Sequence, residues 1–323
     1  MKILVTGCAG FIGFHLCLKL SKNEKNYIYG IDNLNNYYDI KLKKDRISIL
    51  KKNKKFLFEK IDISNFNNVK KFFSKKKIDI VIHLAAQAGV RYAFQYPEAY
   101  INSNLVGFYN IIENSRLSNV KKFYFASSSS VYGAQKKFPT KEEYSTDNPE
   151  SLYAATKKNN EIVAQSYFNT YKFKSTALRF FTVYGPYGRP DMALFIFTKS
   201  IFEGKKIQLY NSGNHVRDFT YISDVVTSIE KIIKKKQIGS DIFNISSSNP
   251  QKLLYFIKVI EKTIGKKAKR INKKMQTGDV LKTHGNSHKL HKFIGFIPTV
   301  KIEEGISKFI NWYKDYYKFN ENK

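Results

Sequence analysis

The chain has 323 residues and only two cysteines, Cys8 and Cys17. They lie near its start, without metal-ligand spacing and with no further cysteine for a disulfide framework. That usage points to a reducing, cytoplasmic setting. Arginine is also scarce, supplying seven of the 56 basic residues, and acids number only 26, for a formal charge of +30. Such an excess suits a nucleic-acid or anionic-membrane binder. A nucleic-acid site, however, clusters its charge and leans on arginine. Here the lysines are scattered through "KLKKDR", "KKNKK", "KKFFSKKK" and "IIKKKQ", and Asn, Ile, Tyr and Phe are abundant as well. We read the charge as compositional drift and expect no nucleic-acid partner, although a positive field would still attract an anionic substrate. No apolar run nears the roughly 18 residues of a membrane span, so no membrane insertion is expected. The apolar part of "MKILVTG" is too short for a secretory core. A hydrophobic content of 42% and an aromatic content of 15% belong to a globular chain.

What is present alternates. "KILVT", "YIYGID", "FLFEKID", "IDIVIHLAA", "KKFYFASS" and "STALRFF" read as strands. Helix-type spacing follows in "FIGFHLCLKLSK", "NVKKFFSK", "EAYINSNLVGFYNIIENSRLS" and "LYAATKKNNEIVAQSYFNTY". This rhythm predicts an α/β fold: a Rossmann-type, doubly wound parallel sheet. After about Phe181 the rhythm breaks, "FNISSS" supplies one last strand, and the rest is mostly helical. We expect a cofactor domain over 1–181 with a return segment at about 217–249. A smaller, mostly helical C-terminal substrate lobe would comprise 182–216 and 250–323, with "KFNENK" fraying at its end.

"TGCAGFIG" places Gly7, Gly10 and Gly13 three apart, between a strand and a helix. Glycines there let the backbone approach a pyrophosphate, and the helix N-terminus offers free N–H groups. Phe11 and Ile12 share that turn. Asp32 ends the second strand, where a carboxylate accepts ribose hydroxyls and repels a 2′-phosphate. It argues for NAD over NADP, although "IDNLNN" could also use it as a turn residue. Asp62 after the third strand could cap the adenine pocket or the next helix. Leu84, Ala85, Ala86 and Gln87 follow the fourth strand, where small residues leave room for a cofactor. Asn33, Ile63 and Ser103 complete the residues expected to line it.

Tyr153 and Lys157 form a Tyr-x-x-x-Lys pair on one helix face. A phenol is a poor base at neutral pH, and an adjacent ammonium favours its phenolate. The pair suits proton abstraction from a sugar hydroxyl, provided the dinucleotide site and a second hydroxyl are near. A surface helix pair is the plain alternative in a chain rich in Tyr and Lys. His284, His288 and His291 invite a metal site. No acid or cysteine lies near them in sequence, so we read them as exposed or packing residues and expect no metal.

With these motifs on the page, the chain resembles the extended short-chain dehydrogenase/reductase family. Within it the likeness is to UDP-glucuronate 4-epimerases, running nearly end to end through "GIDNLNNYYDIKLKKDR", "HLAAQAGVRYA", "ASSSSVYG", "YAATKK", "LRFFTVYGPYGRPDMALF", "RDFTYISD" and "MQTGDV". Cys8 stands where Ala is usual. The resemblance implies a serine 25 residues before the tyrosine, which is Ser128, bridging substrate and phenolate. It implies that Ser129, Thr182 and Arg189 hold a sugar carboxylate, that Arg217 meets the diphosphate and that Asp279 lies near the nucleotide. Each could also be ordinary: a turn serine, a strand-end threonine, a solvated arginine. Related dehydratases and decarboxylases carry acids just after Ser128, whereas here Ser129 and Ser130 follow. The implied reaction is NAD-dependent inversion at C4′ of UDP-glucuronate, by a homodimer. UDP-glucose or N-acetyl-sugar epimerisation and UDP-glucuronate decarboxylation are the alternatives. A non-catalytic Rossmann protein has only the +30 charge in its favour.

Overall fold

The computed structural model describes residues 1–319. Six parallel strands open the chain: β1 (Lys2–Thr6), β2 (Tyr27–Asp32), β3 (Phe56–Lys60), β4 (Ile80–His83), β5 (Lys122–Ser128) and β6 (Ser175–Phe180). A seventh, Ser240–Ile245, joins β6 from far along the sequence. The order across the sheet is β3, β2, β1, β4, β5, β6 and then Ser240–Ile245, all parallel. This is the doubly wound α/β fold that the alternation predicts. Its order reverses between β1 and β4, and such a switch point opens a crevice at the carboxyl ends of the strands.

The inner strands are largely apolar because both faces are covered, whereas the edge strand β3 leaves Leu57, Glu59 and Lys60 exposed. In β1, Leu4 faces one core with Val69, Phe72, Phe108 and Ile111, from helices Phe66–Lys75 and Gly107–Leu117. Ile3 and Val5 face the other, against Phe14, Leu16 and Cys17 of α1 (Phe11–Leu20) and Val225 and Ile229 of helix Ile222–Ile233.

Two segments depart from the sequence reading. It places no helix between β2 and β3, yet α2 spans Ile40–Lys51, capped where Asp39 accepts the amide of Lys41. Its lysines dilute the apolar signal, but one face still buries Leu42, Arg46, Ile47 and Leu50. The helix read as one piece from Glu98 is broken. Pro97–Tyr100 leads into a π-helical turn at Ile101–Val106 before Gly107–Leu117. Such turns frequently occur at functional sites. This one aims Asn104 inward, where it accepts from Gln87 N (2.8 Å) and donates to Gln87 O and Thr156 Oγ1 (3.0 Å each).

Beyond Phe181 the helices Ala193–Phe202, Leu253–Ile264 and Ile302–Tyr317 contribute a large aromatic core around Phe195, Phe309 and Tyr313. A small strand pair, Lys206–Tyr210 with Lys269–Lys273, lies beside them. Of the tail expected to fray, Phe319 stacks on Phe202 (centroids 4.9 Å apart). Residues 320–323 lie outside the described residues. No helix among the described residues is long and apolar enough to cross a membrane.

Candidate active site

A cavity of about 950 Å³ opens where the sheet order reverses. Every residue expected from the sequence to meet cofactor or substrate lines it except Asp62. At one end lies the glycine turn. Gly7 has φ +70°, and a Cβ there would stand 2.7 Å from Ala85 N. A Cβ on Gly13 would stand 2.2 Å from Gly7 O. Gly10 precedes α1 without a side-chain cap, so the amides of Phe11, Ile12 and Gly13 stay open to the cavity. Leu84, Ala85, Ala86, Ile63 and Ser103 close the walls.

Asp32 accepts from Ala9 N (3.2 Å) and Leu34 N (2.8 Å). Burial pushes its carboxyl up, while those amides, Lys43 and Arg46 pull it back. Asp62 stands one layer behind, accepting from Asn33 Nδ2 (2.9 Å) and from Ser64. Its influence on the cavity therefore runs through Asn33. Lys43, which the sequence reading passed over, also lines this end; it donates to Asn35 O (2.7 Å) and Oδ1 (2.6 Å).

The chemistry gathers at the end of β5. Ser151 caps helix Leu152–Tyr171, its hydroxyl accepting the amide of Ala154. Tyr153 and Lys157 therefore occupy successive turns above Ser128. Lys157 is 2% exposed, donates to Ala126 O at 3.0 Å, and is lowered by burial to about 8. Its nitrogen stands 6.0 Å from the centre of the Tyr153 ring. Burial pushes the Tyr153 hydroxyl up, and the groups that pull it back are the Ser128 hydroxyl and the Arg189 guanidinium.

The four serines separate by depth. Ser127 donates to Glu161 Oε1 (2.6 Å), which with Oε2 grips Arg179 at 2.8 and 2.7 Å. Ser128 faces the cavity and holds the amide of Ser130 at 3.1 Å. Ser129 and Ser130 line the wall beyond. Tyr132 belongs to the buried network, accepting from Arg179 and donating to Asn244, both at 2.8 Å.

The far end is formed after β6. Thr182 lies in a short strand, Thr182–Tyr184, paired with Phe219–Tyr221. Arg189 is gripped by Asp191, with Nε–Oδ1 3.0 Å and Nη2–Oδ2 2.5 Å. Burial raises Asp191, but Arg189 and the Tyr37 hydroxyl overcome it and hold it below the usual range. Asp279 draws Arg91 Nη2 (3.3 Å), Arg217 Nη2 (3.7 Å) and His215 Nε2 (3.9 Å) around one carboxylate. His215 is 4% exposed, with Nε2 otherwise without a hydrogen-bond partner. Tyr37, Lys43, Arg91, Asp191 and His215 were missed individually. Tyr37 and Asp191 lie in "NNYYDIKLK" and "GRPDM", so position within those motifs was the available signal. Among the described residues, no group of three His, Cys, Asp or Glu is placed to hold a metal, His284, His288 and His291 included.

A family model described as "NAD dependent epimerase/dehydratase family" matches residues 3–246. Protein CapI of Staphylococcus aureus is 46% identical over 98% of this chain and 100% of its own. UDP-glucuronate 4-epimerase 2 of Arabidopsis thaliana is 41% identical over 98% of this chain and 77% of its own. Among solved structures, UDP-glucuronic acid 4-epimerase from Bacillus cereus, in complex with UDP-glucuronic acid and NAD, superposes with a TM-score of 0.93. It is 34% identical and covers 98% of this chain and 100% of its own.

Proposed function

Because the chain belongs to the NAD dependent epimerase/dehydratase family, we propose that it interconverts UDP-glucuronate and UDP-galacturonate by inversion at C4′, with NAD as cofactor. The observation that carries the reading is the convergence of Ser128, Tyr153 and Arg189 on one point of the cavity, with serine rather than acid at 129 and 130.

The glycine turn fits a dinucleotide: three open amides face the crevice, and the turn is packed so closely that a Cβ on Gly7 or Gly13 would strike the backbone of Ala85 or of Gly7 itself. Asp32 and Asn33 would hold the adenosine ribose, with Ile63, Ala85 and Ala86 along the rings. When bound, NAD supplies a hydride acceptor that takes hydrogen from C4′ and later returns it, so that a 4-ketone exists between the transfers. The chain's own task is proton handling and grip. Tyr153 Oη takes the 4′-hydroxyl proton and gives it back, with Ser128 Oγ donating to that oxygen. Lys157 holds the helix turn to the end of β5 and keeps a positive charge near the phenol. Ser129, Thr182 and Arg189 hold the sugar carboxylate, while Arg91 and Arg217 meet the diphosphate. Asp279 keeps those two arginines paired and lies near the nucleotide.

Residues 182–216 and 250–323 form the UDP-sugar lobe in this reading, against a cofactor domain of 1–181 with the return at 217–249. The protein acts as a cytoplasmic homodimer, paired through the helices that expose Val106, Tyr109, Leu117, Ile162 and Tyr171. One observation favours the neutral-sugar alternative: Asp191 already cancels the charge of Arg189. Incubation of the purified protein with UDP-glucuronate and with UDP-glucose decides between them. UDP-galacturonate supports the reading; turnover of UDP-glucose alone overturns it.

A further inference from the structure

The loop that carries Arg189 is tied down by three side chains from the cofactor half. His15 Nε2 hydrogen-bonds Pro186 O at 2.8 Å. Arg46, fully buried, donates from Nη2 to Tyr187 O (2.7 Å) and from Nη1 to Ala9 O in the glycine turn (2.7 Å). Tyr37, in the loop after β2, donates to Asp191 Oδ2 at 2.8 Å. Its ring packs edge-on to Tyr92 (centroids 4.8 Å apart), and its hydroxyl lies against Gly89, where a Cβ would come within 2.4 Å of it.

Tyr37 therefore orients Asp191, and Asp191 takes the Nε and Nη2 edge of Arg189. Nη1 has no hydrogen-bond partner among the described residues. The paired guanidinium brings little net charge to a ligand. What it offers a carboxylate is placement, and placement depends on whatever fixes Asp191.

The geometry points to Tyr37 as a positioning residue that, through Asp191, sets Arg189 and thereby decides whether the 4-keto sugar keeps its carboxylate. This rests on the reading of the site as a UDP-glucuronate 4-epimerase. The 4-ketone of UDP-glucuronate is a β-keto acid. If its C5–C6 bond aligns with the carbonyl π system, that bond breaks and CO2 leaves. The electron pair passes through C5 to the C4 oxygen, and solvent protonates C5 to give a UDP-4-keto-pentose, which the returning hydride and a proton would convert to a UDP-pentose. No further oxidant is needed. A guanidinium held in one orientation keeps the carboxylate out of that alignment.

The test uses NAD-loaded full chain and UDP-glucuronate, comparing wild type, Tyr37→Phe, Asp191→Asn and the double variant. Product ratio, kcat and KM are read together, with thermal midpoints as the check on folding. Wild type should yield UDP-galacturonate. Each single variant should raise the share of UDP-pentose and CO2 about tenfold or more, the scale of losing one hydrogen bond to a charged group. The double variant should exceed the larger single effect by little, because Tyr37 acts on Arg189 only through Asp191. Slower turnover with an unchanged product ratio, or fully additive effects, overturns the inference. Should Tyr37→Phe fail to fold, the ratio for Asp191→Asn decides alone. A wild type that leaves UDP-glucuronate untouched instead defeats the underlying functional reading, and this inference with it.

Discussion

Lys157 is a buried cation held by one hydrogen bond, and that arrangement should be visible in stability as well as in turnover. Its fall from 10.5 to about 8, caused by burial, corresponds to about 3 kcal/mol at about 1.36 kcal/mol per pH unit. A lowered lysine binds fewer protons folded than unfolded between pH 8 and 10.5. The charged form therefore costs stability in full below about 8, and the cost is relieved as pH rises towards 10.5. Lys157→Met removes the cost but also the bond to Ala126 O, worth about 1 kcal/mol. At pH 7 the variant should be about 2 kcal/mol more stable, a rise of a few degrees in Tm. The advantage should shrink through pH 8 to 10.5 and then disappear or reverse slightly. Urea unfolding of both proteins at matched NAD content, from pH 7 to 10.5, reads this directly. Turnover of the variant should fall by about a hundredfold or more, as expected for disabling acid–base chemistry. Parallel stability curves across that range would refute the argument, because a lysine titrating normally leaves a constant difference.

Other perturbations test other parts of the site. Gly13→Ala drives a methyl to 2.2 Å from Gly7 O, so the purified variant should carry little NAD; normal nucleotide content by absorbance would contradict the pyrophosphate turn. Arg217→Ala should raise KM for the UDP-sugar by about tenfold while changing kcat little, since a diphosphate grip acts on ground and transition states alike; an unchanged KM would remove Arg217 from the substrate. Glu161→Gln leaves Arg179, 2% exposed, as a poorly compensated buried charge. It should cost about 3 kcal/mol by chemical denaturation, and a cost within experimental error would mean that Tyr132 and water carry that charge.

The alternation of apolar runs with helical spacing determined the doubly wound sheet, because a parallel sheet buried on both faces must write its strands as continuous apolar runs. Spacing alone also placed Gly7, Gly10 and Gly13 on a strand-to-helix turn, and Tyr153 and Lys157 on one helix face. These are local facts, governed by neighbours within a few residues. The missed helix, Ile40–Lys51, shows the limit: its buried face is real, but four lysines, one of them on that face, hide its period. Tertiary structure decided which charges meet. Nothing in the sequence says that Tyr37 reaches Asp191, 154 residues away, or that Arg46 ties Ala9 to Tyr187. The same is true of Asp279 gathering Arg91, Arg217 and His215. Nor does it say that burial raises the phenol of Tyr153 or that Arg189 opposes the rise. Coulomb and hydrogen-bond energies fall off over a few ångströms of space, and sequence separation carries almost no information about that distance.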